Sequence, residues 1–188
     1  MNDPDSPNAL PSGGRDPHAT TVRIVADDRE NAGGVIAALR EMPEIELAVR
    51  RLPVGDFLLE DRFAIERKTL VDFAQSVIDG RLFKQATALS QGARRGVLIL
   101  EGAGSDLRDS ATSRESLQGA LIAVGVFYGL AILRAVDAAE TARLILYLGR
   151  QSQRFARGSL PRPGYRPKGR RARQLFILQG LPGVGPGR

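Results

Sequence analysis

The chain is predicted to be an α/β domain, a prediction that rests on three observations. Short apolar runs of strand length alternate along the chain with stretches of helical periodicity. Three of the helical stretches open on capping pairs: Thr69 with Asp72, Thr112 with Glu115, and Asp137 with Glu140. The 188 residues, 43% of them hydrophobic, suffice for one domain with a real core and appendages at its ends.

Residues 1–20 are rich in Pro, Gly, Ser and Asp and carry too little apolar surface to offset ordering, so a disordered tail is expected. The single histidine, His18, falls there, which turns attention from histidine chemistry to carboxylates, lysine and metal. From Thr21 the pattern becomes regular. Val22 to Ala26 reads as a buried strand, Val35, Ile36 and Leu39 as one face of a short helix, and Ile45, Leu47 and Val49 as a second strand. Phe57 to Leu59 and Phe63 to Ile65 flank a polar stretch and suggest a hairpin whose turn lacks glycine.

Leu70, Phe73, Ala74, Val77 and Ile78 follow the Thr69 cap at helical spacing, and Gly80 separates them from Leu82, Phe83, Ala86 and Leu89 of the next helix. Val97 to Leu100 is a strand. The uncharged run from Gly119 to Leu133 is too short to cross a bilayer comfortably and reads as a core helix leading into a strand at Ile132 and Leu133. The regular pattern, residues 21–153, defines the candidate catalytic domain. Residues 154–174 have the Pro, Gly and Arg composition of a basic linker, and 175–188 form a short final segment.

With no cysteine, disulfide staples and thiolate metal sites are excluded, and an intracellular protein is the simplest reading: cytoplasm or nucleoid in a bacterium, nucleus in a eukaryote. No membrane partner is expected. The net charge of +6 is unevenly distributed: after Glu140 there are eleven Arg or Lys and no Asp or Glu, so residues 1–140 carry −5. A one-sided basic segment is an electrostatic footprint for a polyanion, nucleic acid being the commonest; a solvated basic tail would have the same composition.

Chemistry concentrates in GDFLLEDRFAIERK, residues 55–68. A turn centred on Asp61 pairs residue i with residue 122 − i, which sets Asp56 opposite Glu66 on one face, within reach of a shared cation. Strand alternation puts Lys68 on that face too and Arg67 on the other. Two carboxylates held this close repel each other, and Mg²⁺ or Mn²⁺ relieves the conflict while retaining waters. The ammonium of Lys68, one of three lysines against 24 arginines, can orient an attacking water or steady a pentacovalent phosphate. By spacing alone, a charged, solvated hairpin accounts for the same three residues.

A longer match decides between these readings. Gly55, Asp56, Glu66, Arg67, Lys68 and Asp72 reproduce the GDxnERKxxxD signature, and the stretch resembles the nuclease domain of the XPF family of structure-specific endonucleases. The resemblance extends to ADDRE, with Asp27, Arg29 and Glu30, and to IDGRLFKQ at residues 78–85. It implies a restriction-endonuclease-like mixed sheet flanked by helices. It also implies a divalent metal held by Asp56, Glu66 and the Arg67 carbonyl with Asp27 as a further acidic member, and cleavage of DNA near branches, flaps or forks. A homodimer or heterodimer through the nuclease domain fits the same family. Arg67 and Asp72 enter the site by the signature, although Asp72 is also the N3 residue of a helix capped by Thr69. The resemblance implies that Arg29 and Glu30 support the site, with Arg29 also a nucleic-acid contact, and Arg81, Lys84 and Gln85, at helical spacing, are candidates to approach a phosphate chain. Arg170 and Arg171 add basic charge. LPGVGPGR resembles the hairpin of a helix-hairpin-helix module, in which Gly183 and Gly185 would offer backbone N–H groups to a phosphate; the match stops at Arg188 before a second helix. The competing readings are a non-catalytic DNA-binding scaffold or partner subunit, another nuclease on the same fold, and an RNA-binding or assembly protein that works through its basic tail.

Overall fold

The computed structural model describes residues 21–156, and its compact unit ends at Ser152. The expectations placed on residues 1–20 and on 157–188, including Arg170, Arg171, Gly183 and Gly185, lie outside the described residues.

In chain order the elements are β1 (Val22–Ala26), α1 (Val35–Arg40), β2 (Ile45–Val49), β3 (Phe57–Leu59), β4 (Phe63–Thr69), α2 (Leu70–Ile78), α3 (Arg81–Gln91), β5 (Arg95–Glu101), α4 (Arg114–Ile122), β6 (Ala131–Ala135) and α5 (Ala138–Ala156). Two short 3-10 segments, Asp28–Gly33 and Gly104–Leu107, were not expected from the pattern. The six strands form one mixed sheet in the order β2-β1-β3-β4-β5-β6. It is parallel at β1/β2, β4/β5 and β5/β6, and antiparallel on both sides of β3. The α/β expectation therefore holds, with the β3–β4 hairpin at the centre of the sheet.

Apolar alternation places that hairpin. Phe57, Leu59 and Ile65 turn to one face and are fully buried with Ile24, Leu39 and Ile145, under α1 and α5. Ala64 turns to the other face, where Leu98 and Leu100 pack against Phe73, Leu82 and Leu89 of α2 and α3. Burying each large apolar side chain stabilises the fold by about 1.5–3 kcal/mol, so a one-residue slip of the hairpin, which would invert its faces, is strongly disfavoured.

Glu60 and Asp61 form the hairpin turn with φ of 51° and 54°, the left-handed pair that a tight turn between twisted strands requires. The turn does without glycine because both side chains are anchored. Glu60 accepts from the Arg23 backbone N–H at 2.9 Å, and Asp61 pairs with Arg94 at 2.5 Å. At the other end, Gly55 has φ 76°, and a Cβ there would lie 2.9 Å from the Ile65 carbonyl oxygen, so the position admits only glycine.

The helix starts follow their caps, with one correction. Thr69 Oγ1 accepts from the Asp72 N–H, and Asp137 Oδ1 from the Glu140 N–H. The cap of α4 is Ser113, whose Oγ accepts from the Ser116 N–H, whereas the hydroxyl of Thr112 donates to the Ala74 carbonyl. Nor is the run after Gly119 wholly core. α4 ends in a π-helical turn, Ala123–Phe127, that leaves Ile122, Val126 and Phe127 more than half exposed. No helix among the described residues is long and apolar enough to cross a membrane.

Candidate active site

The ladder of the hairpin pairs Phe57 with Ile65, Leu58 with Ala64 and Leu59 with Phe63. Each pair sums to 122, the register that sets residue 56 opposite residue 66. Asp56 lies just beyond the end of β3, where its N–H donates to the Ile65 carbonyl at 2.8 Å, and its Oδ2 accepts from the Arg67 N–H at 2.8 Å. A second backbone tie, from the Asp27 N–H to the Asp56 carbonyl at 2.7 Å, fixes the same residue to the end of β1. Three main-chain contacts thus hold Asp56 in place where a strand end would otherwise fray.

Glu66 and Lys68, two apart on β4, are both buried, and Lys68 Nζ stands 3.7 Å from Glu66 Oε1. Burial, reinforced by the charge of Asp56, pushes the Glu66 carboxyl up to about 7, with Lys68 opposing the shift. The Asp56 carboxyl is also raised, by burial first, against the Arg67 N–H and the Lys68 charge that pull it down. The Glu66 carboxyl therefore senses both Asp56 and Lys68, and the Asp56 carboxyl senses Lys68. Glu30, raised by burial and then by Asp56, stands nearby.

Arg67 faces the other way. Its guanidinium donates to both oxygens of buried Glu101 and, at 3.2 Å, to Glu30. Glu101 Oε2 also accepts from Thr141 of α5 at 2.7 Å. Glu101 and Thr141 had no place in the sequence reading; Glu101 ends the apolar run Val97–Leu100, where a buried charge implies a partner.

The outlying expectations are placed as follows. Asp27 is buried, and its carboxylate accepts from the Arg29 backbone, from Arg29 Nε and Nη2, and from the Leu52 N–H, at 2.6–3.0 Å. The Arg29 side chain is the main cause holding its carboxyl well below the usual carboxylate range. Replacing Asp27 by Ala is expected to destabilise the protein by roughly 2–4 kcal/mol in urea unfolding, because the Leu52 N–H and a guanidinium lose their acceptor; an unchanged midpoint would refute that role. Asp72 Oδ2 accepts from the Thr69 hydroxyl at 2.7 Å, inside the α2 cap. Arg81 is exposed and paired with Asp79 at 2.7 Å, Lys84 is exposed, and Gln85 alone of the three turns inward, its Nε2 donating to Glu66 Oε1. A cavity of about 280 Å³ with Arg50, Arg51 and Arg94 in its lining opens beside Leu58 and Ala64.

A half-buried and a buried acid with a neighbouring buried lysine, mounted on the central hairpin of a mixed sheet, define the class: an α/β domain equipped for polar chemistry on the flank of its sheet. Residues 26–148 match the ERCC4 domain model. The 3′-flap repair endonuclease Xpf of Saccharolobus solfataricus is 31% identical over 168 residues, 87% of this chain and 71% of that protein. The Danio rerio structure-specific endonuclease subunit MUS81 is 31% identical over 126 residues, 66% of this chain but 21% of that longer protein. Among solved structures, XPF from Aeropyrum pernix in complex with DNA superposes with a TM-score of 0.63 at 33% identity, covering 87% of this chain and 76% of that one. The chain belongs to the ERCC4-domain family and carries an XPF-type nuclease domain.

Proposed function

We propose that this protein is a divalent-metal-dependent DNA endonuclease that hydrolyses phosphodiester bonds at flaps, forks or other branches, with Asp56, Glu66 and Lys68 at the reacting centre. The observation that carries the reading is the half-buried Asp56, set by the hairpin register opposite buried Glu66 and beside a buried lysine, with burial and the Asp56 charge raising the Glu66 carboxyl. The endonuclease relatives and the DNA-bound structural neighbour support the substrate class.

Among the described residues no three His, Cys, Asp or Glu side chains gather as a metal cluster. The donor set still fits a hard cation of the Mg²⁺ or Mn²⁺ kind, which takes one or two carboxylates and completes its shell with waters, main-chain oxygen and substrate phosphate. Asp56 and Glu66 would hold it with the Arg67 carbonyl; we assign Asp27, whose acceptor sites are filled, to holding the loop at Leu52 in place. When bound, the metal supplies neutralising charge and an acidified water. Lys68 supplies a positive charge where the phosphorane develops its negative one. Asp72 serves chiefly to hold the Thr69 cap of α2, a cap worth about 1 kcal/mol. Exposed Arg29, Arg81 and Lys84, with the basic stretch that includes Arg170 and Arg171, provide phosphate contacts, so affinity falls as salt rises.

Labelled flap, fork and linear duplex DNA incubated with Mg²⁺, Mn²⁺ or EDTA tests the reading. Cuts confined to the branched substrates and dependent on metal are expected; equal cutting of linear duplex, or cutting in EDTA, would sink it.

We also propose that the nuclease domain self-associates or pairs through the α4 side. Ile122 at 54%, Val126 at 71% and Phe127 at 81% exposure form an apolar surface in the chain segment leading to β6, the edge strand of the sheet. Phe127→Asp is expected to shift the protein from dimer to monomer in analytical ultracentrifugation. A wild type that is already monomeric at every concentration would refute homodimerisation.

A further inference from the structure

Side chains on one face of the hairpin come in opposed pairs two residues apart along each strand, so the pair next to Asp56 and Glu66 is Leu58 and Ala64. Two residues of strand cover about 7 Å, the reach of one nucleotide in an extended chain. The cavity of about 280 Å³ opens over this second pair. Its floor is aliphatic, with Leu58 half-buried and Ala64 and Leu89 buried. Arg50, Arg51 and Arg94, all exposed, form its rim, and no Asp or Glu among the described residues lines it. A neighbouring cavity shares Leu58 and Arg50, but there Arg23 and Arg50 are matched by Glu46 and Asp61. Unbalanced positive charge therefore belongs to the first cavity, whose lining runs to Val54, two residues before Asp56.

An aliphatic floor under a guanidinium rim suits a flat heterocycle with phosphate on either side of it. The floor takes the base out of water, an arginine stacks on its exposed face, and the other arginines meet the flanking phosphates. A base inside a duplex is stacked on both faces and paired at its edge, so it cannot enter; an unpaired base at a flap or fork loses least on leaving the stack. The volume agrees with a single base, since it stands at the small end of ligand sites, which start at roughly 300 Å³. Arg51 pairs with Asp28 at 3.1 Å and Arg94 pairs with Asp61, but such exposed pairs hold little energy and yield to a phosphate. Arg50 has no ion-pair partner among the described residues.

We propose that this cavity receives the unpaired base of a nucleotide adjoining the scissile phosphate. The inference rests on the hydrolytic reading above and supplies the feature by which branches are chosen over linear duplex. A base seated over Leu58 and Ala64 anchors its strand one step from Asp56 and Glu66, and only a strand with a base free to leave the stack is anchored in this way.

The test uses flap DNA carrying 2-aminopurine, whose fluorescence rises on unstacking, at one or the other nucleotide flanking the cut, bound in EDTA by the wild type or by Ala88→Trp. Ala88 is exposed on α3 and lines the cavity, so Trp there narrows it from its open side. Cleavage in Mn²⁺ is then compared between flaps that hold an unpaired base and flaps that hold an abasic nucleotide at the same position. The proposal predicts a fluorescence rise at one of the two positions with the wild type and none with Ala88→Trp. It also predicts that the wild type cuts the base-bearing flap with kcat/KM about 10-fold above the abasic one, whereas Ala88→Trp cuts both equally. Equal cutting of both flaps by the wild type overturns the proposal, since the cavity would then read phosphate alone. A preference that survives in Ala88→Trp, or fluorescence unchanged at both positions, overturns it too. Should Ala88→Trp fail to fold, the two wild-type measurements decide. A wild type that cuts no DNA in any metal overturns the hydrolytic reading, and the fluorescence in EDTA then decides the cavity by itself; an active wild type indifferent to the base overturns the cavity alone.

Discussion

Asp56→Asn and Lys68→Met should each lower the single-turnover cleavage rate of a flap substrate by at least about 10³-fold while leaving its binding within a few-fold. The asymmetry follows from position. Asp56 is fastened by main-chain contacts to Ile65, Arg67 and Asp27, and Asn keeps the oxygen that accepts from the Arg67 N–H, so the backbone stays put and only the charge is lost. Lys68 is buried beside Glu66, and Met preserves most of its stem. The arginines that would meet the phosphate chain, such as Arg29 and Arg81, are exposed and ion-paired with Asp27 and Asp79 rather than with these two residues. Binding measured in EDTA beside cleavage in Mg²⁺ distinguishes the cases. A variant of either residue that cuts at more than a tenth of the wild-type rate removes that residue from the chemistry.

The second large effect concerns stability and pH in the absence of metal. Glu66 titrates at about 7 in the folded protein against 4.5 unperturbed, so between those values the folded state binds more protons than the unfolded one. Its contribution is complete below pH 4.5 and is lost as pH rises through 7. The loss amounts to about 3 kcal/mol at most, and Asp56 shifts in the same direction. Asp27, depressed far below the usual range, is ionised in both states over this window and contributes no slope. Metal-free protein is therefore expected to melt roughly 5–10 °C lower at pH 8 than at pH 5. Mn²⁺ should reverse most of that fall by neutralising the pair, and Asp56→Asn should abolish the rescue. Thermal melts in EDTA and in Mn²⁺ at both pH values provide the check; a metal-free Tm that rises with pH, or a rescue that survives in Asp56→Asn, would contradict the assignment.

How far the sequence anticipates this molecule depends on the range of the interactions involved. The hairpin register was legible because Phe57, Leu59, Phe63 and Ile65 leave only one way to bury both arms, and that register carries residues 56 and 66 with it. Caps were legible to within a residue, since they depend on groups three apart; the shift from Thr112 to Ser113 reflects a long-range claim on the Thr112 hydroxyl by Ala74. Tertiary neighbours stayed out of reach. Nothing local distinguishes Gln85 from Lys84 as a surface residue until α3 packs over β4, and the Asp27 carboxylate reads as available until Leu52 and Arg29 surround it. The exposure of Val126 and Phe127 likewise runs against their composition, because the π-helical turn rotates them off the core.

Arg67 is bound at two levels, through its main chain and through its side chain. Its amide steadies the acid at position 56, while its guanidinium, 14% exposed, is committed to Glu101 and Glu30. An arginine inside a nuclease signature invites the assumption that it grips the nucleic acid. Here it works as a rivet through the wall: cutting off its head slackens the plate on which the acids are mounted, and the damage surfaces as softened packing around α5 as much as in a slower cut.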